Sequence, residues 1–253
     1  MADLRNSPVG FNQLLAALPP DDYEQLAPSL ETVSLQMGQV LCEPYEPITH
    51  VYFPFQAMIS LLAVMEDGTT TEVGVIGNTG ILGYPVYLGS NTTCRRAIVQ
   101  VPGMAVRMRA EVLRTEFEQR AELRRLLLRY TKALIVQISQ TAACYRLHSI
   151  EQRLARWLAM ACDYQQSEEL QLTQEFLATM LGTRRASITT AASALQKANL
   201  IRYSRGKIVV LDPIGLRLAA CECYSAIREE YQRLSPNLEE VARSYRDGHF
   251  PPR

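Results

Sequence analysis

Six basic side chains fall between residues 173 and 211: Arg184, Arg185, Lys197, Arg202, Arg205 and Lys207. They stand against a single acid, Glu175. Short hydroxyl side chains lie among them: Thr173, Thr183, Ser187, Thr189 and Thr190. This mixture suits the binding of anions and the reading of planar polar edges. A guanidinium fork pairs two-pronged with phosphate or with the edge of guanine, and Ser or Thr bonds either bases or phosphates. The first 110 residues have the opposite balance, five arginines against ten acids. The whole chain is neutral, with 26 Lys and Arg against 26 Asp and Glu. A basic segment inside a neutral chain is the electrostatic footprint expected of a nucleic-acid-binding module.

The elements that must hold these residues can be read from the same segment. Thr173 is a good N-cap, with Gln174 and Glu175 in the first turn and Phe176, Leu177, Met180 and Leu181 as an apolar face. Gly182 breaks that helix. Thr183 is placed to cap a second helix over about 184–197, in which Ile188, Ala191, Ala192 and Leu195 face inward. Ala198-Asn199-Leu200-Ile201 leads into a strand, Arg205-Gly206 turns a hairpin, residues 207–211 return, and Asp212-Pro213 stops the strand. Helix, glycine turn, helix and hairpin form a winged helix-turn-helix. Its second helix fits a major groove about 12 Å wide, with Arg184, Arg185, Ser187, Thr189 and Thr190 on the non-apolar side of its leading half. Thr173 and Thr183 sit at helix N-termini, where backbone amides favour phosphate. Arg202, Arg205 and Lys207 would set the wing along the backbone. The alternative is a winged domain used only for protein contacts.

Upstream, residues 11–30 read as two short helices split by Pro19-Pro20, the second capped by Asp21 and Asp22. Short strand-like runs follow at 40–41, 51–53, 58–64, 71–76, 96–101 and 105–108, with turn residues such as Asp67-Gly68 between them. That spacing predicts an antiparallel barrel or sandwich. From Ala110 past residue 160 the pattern is helical. Leu123, Leu127, Tyr130, Leu134, Gln137, Thr141 and Tyr145 form a seam at coiled-coil spacing, which packs either on a partner copy or on the chain's own barrel. The length of the seam favours a parallel dimer. A further helix at 150–164 is capped by Ser149, and a polar loop spans 163–169. The fold class is α+β: an N-terminal antiparallel β-roll of cupin-like form, a long dimerisation helix and a C-terminal winged helix-turn-helix. The expected divisions are 1–110, 111–146, 147–230 and a tail at 231–253.

The stretch Leu181-Gly182-Thr183-Arg184-Arg185-Ala186-Ser187-Ile188-Thr189, followed by Leu195-Gln196-Lys197-Ala198-Asn199-Leu200-Ile201, resembles the recognition helix and wing entry of the Crp/Fnr family of bacterial transcription regulators. The resemblance extends to a cyclic-nucleotide-binding-like roll and a dimer helix. It implies a homodimer on a palindromic operator in double-stranded DNA, RNA polymerase as a partner, and a small-molecule effector of unknown identity. It puts Arg185 where the family carries its guanine-reading arginine. Ala186 stands where many members have an acidic base reader, and Thr190 where a second arginine often sits, so operator preference should differ. Members that bind cyclic nucleotides carry a Gly-Glu pair in a phosphate-binding turn, then an Arg followed by Ser or Thr. Here the turn reads Gly77-Asn78-Thr79-Gly80-Ile81-Leu82-Gly83, and the later element Cys94-Arg95-Arg96-Ala97. Gly77, Gly80, Gly83, Arg95 and Arg96 are the effector candidates. The glutamate and the hydroxyl are missing, so cyclic AMP is not expected to bind tightly.

Other functions lack their residues. No apolar run approaches the roughly 18 residues of a membrane span, and the N-terminus lacks the apolar core of a signal peptide, so no membrane contact and a cytoplasmic location are expected. Six cysteines in 253 residues are not a disulfide framework. Iron–sulfur members of the family cluster cysteines near the N-terminus, whereas the first here is Cys42. Cys221-Glu222-Cys223 is a close pair, but on a helix residues two apart point in different directions, so buried apolar filling is the expected role. His50, His148 and His249 are scattered. Neither a metal nor a cofactor is expected. No nucleophile–base pair or P-loop appears, and a cupin-type enzyme would need a metal-ligand set where the barrel has only His50. An enzyme is therefore not expected.

Overall fold

The computed structural model describes residues 12–234. The readings made for the amino-terminal segment before residue 12 and for 235–253 lie outside the described residues. Two short helices, α1 (Gln13–Ala16) and α2 (Pro20–Leu26), open the fold. Asp21 and Asp22 sit in the first turn of α2 rather than capping it: Pro19 holds the cap position and the chain enters helix at Pro20.

Seven strands follow: β1 (Glu31–Leu35), β2 (Val40–Cys42), β3 (His50–Pro54), β4 (Met58–Val64), β5 (Thr70–Ile76), β6 (Arg95–Val101) and β7 (Gly103–Arg109). They form two antiparallel sheets, ordered β1-β7-β3 and β2-β6-β4-β5. Val51 and Phe53 on β3 and Val106 and Met108 on β7 alternate into the core. β4 is buried along nearly its whole length because its outer face is covered as well. β1 escaped the sequence reading because its residues are mostly exposed and only Leu35 is buried.

The helical half runs α3 (Ala110–Gln119), α4 (Ala121–Leu147), α5 (Ile150–Gln165), β8 (Glu169–Gln171), α6 (Gln174–Met180), α7 (Arg185–Lys197), β9 (Ile201–Ser204), β10 (Lys207–Val210), α8 (Pro213–Ala219) and α9 (Cys223–Gln232). Ser149 and Gln152 close a reciprocal capping box at the start of α5. The expected polar loop at 163–169 is shorter than read, because α5 takes its first three residues and Glu169 starts β8. That strand pairs with β10, which also pairs with β9. α9 crosses the expected tail boundary, and Tyr231 and Leu234 are buried. No helix among the described residues is long and apolar enough to cross a membrane.

The seam expected on α4 is the main correction. Leu123, Leu127, Tyr130, Leu134 and Thr141 are all buried inside the subunit. Each leucine so placed contributes about 1.5–3 kcal/mol relative to facing water, so this stripe is not free for a partner. Its polar members find partners in the same chain. The Tyr130 hydroxyl donates to the Ile81 carbonyl at 3.1 Å. The Gln137 carboxamide, 1% exposed, accepts from the Val75 amide at 2.7 Å and donates to the hydroxyls of Tyr164 (3.1 Å) and Tyr231 (3.2 Å). What α4 leaves outside is the stripe one residue further on. Leu128 is 47% exposed, Ile135 is 59% exposed, and Ala121 and Ala142 extend the same seven-residue repeat.

The winged half is docked on the barrel through a buried carboxylate. Glu72 on β5 accepts from the Trp157 indole at 2.8 Å and from the Ser60 hydroxyl. The Tyr145 hydroxyl lies between the carbonyls of Glu72 (3.0 Å) and Met180 (2.8 Å). Burial pushes the Glu72 carboxyl up from 4.5 to about 7, against the opposing pull of those two donors and of the Arg156 charge. Between those two values the folded chain holds a proton that the unfolded chain has released. Stability therefore falls as pH rises from about 4.5 to about 7, by up to about 3 kcal/mol. Thermal melts from pH 5 to 8 should show this decline in the wild type and a flatter profile in Glu72→Gln. Identical slopes in the two proteins would remove Glu72 as the source.

Candidate nucleic-acid interface

α6 begins at Thr173, whose hydroxyl accepts from the Phe176 amide at 3.2 Å. Gly182 takes the left-handed conformation (φ +54°) that ends it, and the Thr183 amide returns to the Ala178 carbonyl at 2.9 Å. The next helix starts one residue later than expected. Arg184, not Thr183, occupies the cap position of α7, with extended backbone and no side-chain cap. Ile188, Ala191, Ala192 and Leu195 are buried. The hairpin turn at Arg205-Gly206 has positive φ at both residues (+48° and +78°), which matches the right-handed twist of β9 and β10.

This scaffold turns one charged surface outward. Arg184, Arg185, Thr189, Thr190, Arg202 and Arg205 are exposed, as is Thr173, while Thr183, Ser187 and Lys207 are partly covered. Lys207 pairs with Glu169 across the β8–β10 ladder at 2.5 Å. Among the described residues no carboxylate pairs with Arg184, Arg185, Arg202 or Arg205. The Thr189 hydroxyl bonds Gln174 at 2.9 Å and so ties the outer side of α7 to the first turn of α6. The Thr190 hydroxyl bonds back to the Ala186 carbonyl at 3.2 Å.

Residues 152–219 match the family model of the Crp-like helix-turn-helix domain. The fold is similar to that of FixK2 from Bradyrhizobium japonicum, with TM-score 0.65, 13% identity, and coverage of 76% of this chain and 98% of that one. It is also similar to a Crp/Fnr-family transcriptional regulator from Thermus thermophilus, with TM-score 0.56, 20% identity, and coverage of 75% and 98%. The chain therefore carries a Crp-like helix-turn-helix domain on a fold like that of a Crp/Fnr-family regulator. Global nitrogen regulators resemble it in sequence. That of Synechococcus elongatus is 21% identical over 74% of this chain and 88% of its own length, and that of a Nostoc species 23% identical over 75% and 88%.

The candidate effector turn, residues 77–83, is packed against aromatic rings of the same chain. A side-chain carbon at Gly77 would fall 2.5 Å from the Tyr164 ring, and one at Gly80 would fall 2.8 Å from the Tyr130 ring. Gly83 has φ +106° and sits against Val51. The glycines permit a close approach, but the approaching groups belong to the same chain. Arg96 is held by Glu43 at 2.8 Å. Arg95 and Gly83 do come together, lining with His50, Leu61 and Tyr84 a barrel cavity of about 10 Å³. That is about the room one water needs. A larger groove of about 560 Å³ reaches the same turn at Asn78 and Thr79 and is lined also by Asp163, Tyr164, Arg217 and Tyr224.

The sequence reading missed one gathering of reactive groups. Cys144, His148, Cys221 and Cys223 bring their ligand atoms within 4.8 Å of one another. Cys144 and Cys221 are 77 positions apart, so local spacing carries no sign of it.

A calorimetric titration of the full chain with cyclic AMP should give no saturable heat in the micromolar range. Micromolar binding would overturn that expectation.

Proposed function

We propose that this chain is a homodimeric, sequence-specific DNA-binding transcription regulator of the cytoplasm, without catalytic activity of its own. The observation that carries the reading is the set of four exposed arginines without carboxylate partners among the described residues, Arg184, Arg185, Arg202 and Arg205, around the leading end of α7 and on the wing. Cations left uncompensated on a surface attract a polyanion, and each phosphate neutralised releases counterions. Arg185 lies in the first turn of α7, where side chains of a groove-bound helix meet base edges. Thr173, Thr183, Arg184, Arg202, Arg205 and Lys207 contact phosphates, while Ser187, Thr189 and Thr190 flank the reading face.

The dimer forms along Leu128, Ile135 and Ala142 of α4, flanked by Arg125 and Lys132. Exposed apolar side chains repeating every seven residues supply one of the two apolar positions per heptad along which parallel helices pack. Two copies then present two α7 helices to half-sites about one DNA turn apart, with RNA polymerase as the further partner. A small-molecule effector fits the groove between α5, α8 and α9, whose volume is in the range of ligand sites.

Binding to an operator selected from random duplexes should weaken steeply with salt. Arg185→Ala should cost about 1–3 kcal/mol there and relax base preference at one position of each half-site. Unchanged affinity would displace Arg185 from the reading face. Ile135→Glu should sediment as a monomer, and a persisting dimer would put the seam elsewhere.

A further inference from the structure

Three cysteines pack against one another where α4 ends and α9 begins, apart from the main apolar core. Cys144 and Cys223 are fully buried and Cys221 nearly so. His148 joins them from the C-cap position of α4, one turn beyond Cys144 and on the same side of the helix. The sulfurs of Cys144 and Cys221 are 3.5 Å apart, and the Cys223 sulfur is 3.5 Å from His148 Nδ1. Cys221 and Cys223 converge despite their spacing because only Cys223 is helical. Cys221 lies outside α9, before its N-cap Glu222, so the two thiols are not held to the spacing of a regular helix.

We propose that Cys144, His148, Cys221 and Cys223 form a tetrahedral site for one zinc ion. Zinc–sulfur bonds of about 2.3 Å and a zinc–nitrogen bond of about 2.0 Å put neighbouring ligand atoms roughly 3.5–3.8 Å apart around the metal. Two distances across the cluster, 3.5 Å each, match that spacing, and all four ligand atoms lie within 4.8 Å of one another. Four ligand atoms so close leave room for a single ion and not for a polynuclear iron–sulfur core. Three thiolates with one imidazole form a ligand set typical of structural zinc, and the fourfold protein coordination leaves no position for a reacting water.

Two outer contacts support the set. His148 turns Nδ1 toward the sulfurs while its Nε2 meets the Glu222 carboxylate at 3.1 Å. A carboxylate behind a ligating histidine fixes the tautomer that leaves the inner nitrogen free to bind metal. Gln140, one turn before Cys144 on α4, donates to the Cys223 sulfur at 3.4 Å, a bond that favours the thiolate.

Charge supplies a separate argument. Two buried arginines, Arg153 and Arg156, act electrostatically on the cysteines. Glu72, whose charge acts on Arg156, is protonated below about pH 7, and both arginines have an Nε without a hydrogen-bond partner among the described residues. Uncompensated buried charge is costly. A zinc ion with three thiolates and a neutral imidazole carries one negative charge, which offsets part of it.

The ion would fasten the end of α4 to the segment just after α8, and so to the winged domain. This consequence rests on the DNA-binding reading, whereas metal binding itself does not. Full-length protein purified under reducing conditions should contain about one zinc per chain. Cobalt(II) added to the chelated wild type should give intense visible bands of tetrahedral geometry and a thiolate-to-cobalt charge-transfer band. Because the cobalt spectrum uses the wild type, it stands even if variants misfold. His148→Ala and Cys221→Ser should lose most of the zinc. Zinc-free protein with no cobalt–thiolate bands overturns the proposal. So does stoichiometric zinc retained in Cys221→Ser, or a Cys144–Cys221 disulfide that persists under reductant. Operator affinity should fall about tenfold on chelation. Equal affinity of the two forms would remove the fastening role, while failure of both to bind any DNA would instead overturn the DNA-binding reading.

Discussion

The barrel, the long helix and the winged half meet at one carboxamide. Gln137 accepts the amide of an edge strand and donates to two tyrosines, one on α5 and one on α9. β5 is the edge of its sheet, so the Val75 amide would otherwise be an unpaired donor beneath α4. Removing the carboxamide would leave a strand amide and two phenols buried without one of their partners, each at the desolvation cost of about 1–3 kcal/mol. Tyr164 and Tyr130 are fixed from the same region, and their rings close the 77–83 turn. The phase of α4, the packing of α5 and α9 and the closing of the 77–83 turn therefore share one physical cause.

Much of the fold could be read from residues because local chemistry specified it. Arg205-Gly206 takes positive φ at both positions, and Ser149 with Gln152 closes a capping box, features set by neighbours in sequence. β1 and β8 were not legible for the opposite reason. Their exposed residues carry no alternating apolar signal, and they exist because β7 and β10 offer them an edge. The α4 seam shows the limit most clearly. The period of the repeat was readable, but two stripes share it, one through Leu127 and Leu134 and the other through Leu128 and Ile135. Periodicity does not say which stripe the barrel takes first. Nor does a glycine reveal whether a phosphate or a distant tyrosine comes close to it, as at Gly77 and Gly80.

Charge is divided by depth as well as along the chain. Arg184, Arg185, Arg202 and Arg205 project into solvent, where their hydration is kept until a polyanion displaces it. Arg153 and Arg156 are enclosed. Arg153 lies over the Tyr145 ring, 4.4 Å from its centre, and donates to the Leu181 carbonyl, so it braces the turn from which the exposed pair extends. The sequence does not distinguish these two sets of arginines. Burial separates a surface that recruits a partner from a framework that holds that surface in place.

The bare start of α7 has a consequence for the free protein. A helix beginning without a side-chain cap forgoes about 1 kcal/mol. The amides of Arg185 and Ala186 are then the weakest part of the helix and the first to fray. An oxyanion seated there would act as the missing cap, so docking and completion of the helix become one event. Part of the binding free energy then goes into ordering that turn, and it should be felt as slowed hydrogen exchange at two amides rather than as any movement of the domain.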